Sequence, residues 1–271
     1  MEVLAYWVHT PHPFLVQFNE RFGIRYYGLA YLAGFLIAGW LFRVYHRHGK
    51  TPLTPADSLD FMLALTIGVI VGGRLGYFLL YKPEVLRHDP LVLLQVWEGG
   101  MASHGGFLGV CLATAIFAWR RGVSFLHLGD LAVSAAPAGL FLGRLANFIN
   151  GELWGRVTTV PWAMIFEKSG GGPDPRHPSQ LYEAALEGLL LFALAQYRVW
   201  KTDVLVKSPG RLCGEFLIAY AIVRAICEQF REPDAPLIGG LSRGTFYSIF
   251  LVVGGVILCA IASRRRLERK S

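Results

Sequence analysis

Blocks of roughly twenty apolar residues, separated by short loops, constrain this chain more than anything else in its sequence. A bilayer core about 30 Å thick takes about 20 helical residues to cross, so each block is long enough to span it. A soluble domain would alternate its apolar positions and leave one face of each element wet. Composition points the same way: 54% of the 271 residues are hydrophobic and 17% are charged, against about 25% charged in soluble domains. The mean hydropathy is +0.42. The chain reads as an all-α polytopic membrane protein, with residues 1–271 forming one integral membrane domain.

Seven spans are predicted, at about 24–42, 58–80, 105–119, 125–148, 181–199, 212–230 and 245–262. The third is short, and Leu91–Trp97 before it reads as an interfacial or re-entrant piece. Glycines 68, 72 and 76 recur every fourth residue in the second span, the small-residue spacing that lets helices approach closely. The stretch before the first block lacks the basic and short apolar regions of a secretory signal, so the first span is expected to be retained. Cys111, Cys213, Cys227 and Cys259 lie in or beside apolar blocks without a CxxC spacing, and read as small packing residues.

The net charge of +7 raises nucleic acid as a partner, but the 26 basic residues are not gathered on one solvated face. They sit mostly in loops, where they set orientation. With the N-terminus outside and the C-terminus inside, 14 fall on the inner side and 9, Arg21 among them, on the outer. The inner 14 include Arg269 and Lys270. The longest loop, 151–179 between spans four and five, is then outside; its aromatic residues predict a small ordered cap.

Three arginines, Arg74, Arg144 and Arg224, fall inside apolar blocks. Each costs roughly 2.5–3.5 kcal/mol at mid-bilayer if unpaired. One reading has Arg74 snorkelling to the outer headgroups and Arg224 pairing with Glu228 one turn on. Arg144 is harder to dismiss, because Asn147, Asn150, Glu152 and Gly155 crowd the same helix end.

Four other outer-side segments are similarly polar. His104 lies in a glycine-rich turn that begins at Trp97-Glu98. Ser179 opens the fifth block as a candidate N-cap, with Glu183 and Glu187 one turn apart. Arg231-Glu232-Pro233-Asp234 closes the sixth block, and Tyr26-Tyr27 opens the first. Singly these are a structural histidine, a polar helix start, a capped turn and an interfacial aromatic belt. Jointly they describe one site at the outer interface. Its arginines favour an anionic ligand, and the plentiful anion there is a phospholipid headgroup.

The segments GRLANFINGELWGR (143–156), HGG (104–106), RHPSQLYE (176–183), REPD (231–234) and YYGL (26–29) resemble, in order, the motifs of the bacterial prolipoprotein diacylglyceryl transferases. The resemblance implies seven transmembrane helices with a periplasmic cap in the bacterial inner membrane, and an active site on the periplasmic side. It implies transfer of the diacylglyceryl group of phosphatidylglycerol to the lipobox cysteine of a preprolipoprotein, with no cofactor, metal or nucleic acid. In that chemistry a thiol of pKa about 8.5 needs a base or a positive field. His104 is the first candidate base and Tyr27 the second. Arg144 and Arg231 would stabilise the departing phosphate, Asn147 and Glu152 would orient the headgroup or hold the arginines, and Gly155 would admit close backbone approach.

Two other classes fit less well. A lipid flippase needs polar residues through both leaflets. An intramembrane protease needs paired aspartates or a Ser–His couple, and Asp130 is the only aspartate well inside a span.

Overall fold

The computed structural model describes residues 6–19, 23–95, 99–233 and 236–268. Trp97, Glu98, Asp234, Arg21, Arg269 and Lys270 lie outside the described residues. The helices are α1 (Tyr26–Arg47), α2 (Pro55–Tyr81), α3 (Pro83–His88), α4 (Ser103–Arg121) and α5 (Phe125–Asn150). They continue as α6 (Ser179–Glu183), α7 (Leu191–Lys201), α8 (Val204–Lys207), α9 (Arg211–Cys227) and α10 (Arg243–Glu268). A π-helical segment, Ala184–Leu190, joins α6 to α7 without a break.

Helices occupy every predicted block. Of these, α1, α2, α5 and α10 are long and apolar enough by themselves to cross a membrane. In the other three blocks, α9 is 17 residues long, the π-helical segment divides the fifth block into shorter pieces, and α4 carries His104, Arg120 and Arg121 at its ends. Large side chains on the long helices, such as Leu36, Leu63, Leu80 and Phe250, face outward, as a lipid solvent favours.

The all-α expectation needs one amendment. Short strands are present: β1 (Trp7–Val8), β2 (Phe14–Gln17), β3 (Gly23–Arg25), β4 (Met164–Ile165) and β5 (Pro175–Arg176). β1 pairs parallel to β4 and β4 antiparallel to β5, while β2 and β3 form an antiparallel pair. The 151–179 loop is thus ordered around a small sheet, with Phe166 fully buried beneath it. Two-residue strands have no periodicity to read, which is why the sequence did not reveal them.

The chain divides into two compact units: described residues up to Ala38 with those from Asp130 onward, and Gly39–Gly129. In the second unit, Thr54 caps α2 in a capping box with Asp57, and Pro55 takes the first helical turn. A Cβ on Gly72 would lie 2.8 Å from the Cα of Gly109, and one on Gly76 would lie 2.7 Å from that of Gly105. The glycine stripe therefore seats α2 directly on α4, as its spacing predicts.

The same unit overturns the snorkelling of Arg74. Only 3% of this residue is exposed. Its guanidinium donates to the carbonyls of Val92 (2.6 Å), Leu93 (3.4 Å), Gln95 (2.7 Å), Gly99 and Gly100 (3.3 Å). These carbonyls belong to irregular backbone around a 3-10 turn, Pro90–Leu94, and buried irregular backbone requires donors. Arg74 supplies them.

In the first unit, buried Asp130 on α5 accepts from the backbone N–H groups of Gly210 and Cys213, both at 2.7 Å. A carboxylate from one helix thereby caps the N-terminus of α9. That role accounts for the lone aspartate in the fourth block.

Candidate active site: an arginine–glutamate lattice

The first unit gathers three arginines and three glutamates from three stretches of sequence. The two oxygens of Glu183, at the end of α6, are shared. Arg144 Nε on α5 lies 3.0 Å from Oε2, and Arg231 Nη1, beyond the end of α9, lies 3.1 Å from Oε1. Glu187, one turn on in the π segment, accepts from Arg144 Nη2 at 3.1 Å and Arg224 Nη1 at 3.0 Å. Arg224 also reaches Glu183 Oε1 at 3.3 Å and pairs with Glu228. Glu183 and Glu187 are fully buried, and the Arg144 side chain keeps 16% of its surface exposed.

Unpaired, each buried charge would be costly; balanced and doubly bonded, the lattice is tolerable and stiff. The π segment brings both glutamates to the same arginines. π-helical turns are rare and recur at functional sites. Gly188 and Gly244 make room. A Cβ at Gly188 would meet the Cα of Phe141 at 2.5 Å, and one at Gly244 would meet Glu228 Cδ at 2.6 Å.

A second polar layer adjoins α5's end. Asn147 Nδ2 donates to Glu152 Oε1 (2.8 Å) and to the Tyr27 hydroxyl (3.2 Å). Asn150 Nδ2 donates to Glu152 Oε1 at 3.3 Å. Gln180 Nε2 donates to the Glu152 carbonyl at 2.7 Å, and Ser179 Oγ to the Leu153 carbonyl at 2.9 Å. Leu153 has φ +60°, a left-handed conformation costing a leucine about 1–2 kcal/mol. The bond from Ser179 helps to hold it there.

Gly155 binds the cap's base to the lattice. Its N–H donates to the His177 carbonyl at 2.9 Å, and it bridges to Arg231. A Cβ there would fall 2.5 Å from the Phe230 carbonyl oxygen and 2.6 Å from that of His177. Arg176 stacks 4.3 Å over Trp154 and donates to the Gly155 carbonyl and Glu232, each at 3.1 Å. Trp162 Nε1 donates to the Tyr182 hydroxyl at 2.7 Å, and that hydroxyl lies within hydrogen-bond distance, 3.1 Å, of His177 Nδ1. Burial pushes the His177 pKa below the ordinary histidine value.

Tyr27, Arg144, Asn147, Glu152, Gly155 and Arg231 all belong to this unit: Asn147 joins Tyr27 to Glu152, while Glu183 and Arg231 join Arg144 to Gly155. His104 belongs to the other, exposed on the first turn of α4.

Three expectations change. The arginines are held by Glu183, Glu187 and Glu228, whereas Glu152 binds the amides of Asn147 and Asn150. Ser179 is no N-cap: Pro178 occupies that position and the serine hydroxyl turns to Leu153. Arg224 and Glu228 do pair, but within the larger lattice. Two glutamates four apart in an apolar block were the available signal for the lattice, since buried carboxylates demand cations.

A family model described as prolipoprotein diacylglyceryl transferase matches residues 13–261. Curated relatives carry the name phosphatidylglycerol–prolipoprotein diacylglyceryl transferase. That of Gluconacetobacter diazotrophicus is 48% identical over 89% of this chain and 87% of its own length. That of Rhodospirillum rubrum is 45% identical over 94% and 93%. That of Bradyrhizobium diazoefficiens is 44% identical over 92% and 90%.

Proposed function

The chain belongs to the prolipoprotein diacylglyceryl transferase family, and from that premise we propose the reaction and the residues that carry it. The enzyme moves the sn-1,2-diacylglyceryl group of phosphatidylglycerol to the lipobox cysteine of a preprolipoprotein. The cysteine sulfur attacks the glyceryl carbon bonded to the phosphate oxygen. A C–S thioether bond forms, the C–O bond breaks with its electron pair, and glycerol phosphate departs. The thiol proton passes to a base.

One observation carries the assignment: Arg144 and Arg231 occupy the two oxygens of a single buried carboxylate, Glu183. Two guanidiniums fixed so close together suit a phosphate whose negative charge grows as the C–O bond breaks. Glu183 and Glu187 orient Arg144 through Nε and Nη2, so it meets the phosphate without first being ordered. Asn147 and Glu152 position the headgroup, and Gly155 lets the cap's backbone close against Arg231.

His104 takes the thiol proton, or Tyr27 does so with its hydroxyl bonded to Asn147. The seven helical blocks all cross the bacterial inner membrane, N-terminus out, with the 151–179 cap and the site at the periplasmic face. Residues 1–271 act as one integral membrane domain.

The test is a reconstituted assay with phosphatidylglycerol and a lipobox peptide, read by the mass of thioether-linked lipid. Arg144→Ala abolishes the product; near-normal product would overturn the assignment of Arg144. Retained activity in His104→Gln would assign the base to Tyr27.

A further inference from the structure

Beside the lattice, two amide side chains are aimed by partners that only accept. Gln180 Nε2 faces the backbone carbonyl of Glu152, and Asn150 Nδ2 faces its carboxylate. Neither partner has a proton to give, so flipping either amide would set oxygen against oxygen. Each must therefore turn its own carbonyl oxygen away from Glu152. Among the described residues, Gln180 Oε1 and Asn150 Oδ1 are buried with no hydrogen-bond partner. Gln180 is 0% exposed. Buried acceptors left unmade are costly and are normally satisfied, so a pair beside one residue calls for a ligand that donates twice. Glu152 itself is exposed, which leaves this polar layer open to a ligand at its edge.

We propose that Gln180 and Asn150 determine headgroup specificity, accepting hydrogen bonds from the two free hydroxyls of the glycerol headgroup of phosphatidylglycerol. The inference rests on the reading that Arg144 and Arg231 hold the neighbouring phosphate. Two neutral O–H donors match two neutral acceptors in number and charge. An ammonium headgroup would bring a positive charge toward three guanidiniums, and the amides of Asn147 and Asn150 already engage Glu152 Oε1.

The experiment compares phosphatidylglycerol with phosphatidylpropanol, which lacks both hydroxyls, as donors to a lipobox peptide. The wild-type enzyme loses at least about thirtyfold in kcat/KM on the propanol lipid, because its acceptors are left unpaired. Gln180→Met and Asn150→Leu lose about tenfold on phosphatidylglycerol, chiefly in KM, and their preference between the two lipids shrinks to within about threefold.

Equal use of both lipids by the wild-type enzyme would overturn the inference without requiring any variant to fold. So would variants that fall equally on both lipids, the behaviour of a purely structural role. Selective loss of inhibition by phosphatidylethanolamine would assign the acceptors to an ammonium instead. If the wild-type enzyme lipidates the peptide without discriminating, this inference alone fails. If it forms no thioether with any donor, the proposed reaction fails with it.

Discussion

At the scale of single residues, identity sets the chemistry and surroundings set its use. Arg74 and Arg144 look alike in sequence, each a charge stranded in an apolar block. One satisfies five backbone carbonyls and the other bridges two buried carboxylates. A lysine would serve neither site well, because a point charge lacks the planar fork of donors. Two histidines show the same dependence on context. His9 donates through Nε2 to the Phe148 carbonyl, and burial outweighs that bond to push its pKa down; burial alone does so for His177. The folded state therefore binds these protons less readily than the unfolded chain, whose histidines titrate near 6.5. The stability tied to the neutral imidazoles is complete above about pH 6.5 and is lost as pH falls through the lower folded values. Thermal unfolding in detergent at pH 5 and pH 8 should show a lower melting temperature at pH 5, and His177→Asn should flatten that difference. An unchanged slope would remove His177 from the account. The arginines and the motif residues around Arg144 were legible in the sequence. Their partners were not, because Glu183 stands 39 residues from Arg144 and nothing local distinguishes a capping glutamate from a lattice glutamate.

At the scale of elements, the apolar blocks predicted helices well, with ends that differ by a few residues. The sixth block stops at Cys227 rather than near 230, and the backbone beyond it bridges to Gly155. The glycine stripe of α2 had a legible purpose, close helix packing, but not a legible partner. Gly105 and Gly109 on α4 prove to face it. Gly72→Leu would force side-chain atoms into backbone, which gives way far less readily than a flexible side chain. The expected destabilisation is about 1–3 kcal/mol or more, measurable as a lower melting temperature of the purified protein. An unchanged melting temperature would mean that α2 and α4 stand further apart. No sequence period announced the π segment at 184–190. Its apolar pattern is that of an ordinary helix, and its departure from one is set by packing such as the backbone of Phe141 against Gly188.

At the scale of the whole molecule, the surplus of basic residues predicts an orientation that helix packing alone leaves open. Cysteines introduced at exposed Asp174 and Lys201 test it. In intact bacterial cells whose outer membrane has been permeabilised, a membrane-impermeant maleimide should label Asp174→Cys and spare Lys201→Cys until the inner membrane is opened. The reverse pattern would invert the topology. By itself, the sequence determined the membrane as solvent, the helical blocks and the family, and it put forward the candidate site residues. Those follow from local properties: run length, hydropathy, residue chemistry and motif order. Only the tertiary structure decided what each charge is bonded to. It turned Glu183 and Glu187 from a polar helix start into the scaffold of three arginines, gave Asp130 to a helix N-terminus, and aimed Gln180 by the carbonyl of Glu152. The physical reason is that a buried charge or amide has no stable state until it finds a partner, and the chain supplies that partner from residues remote in sequence.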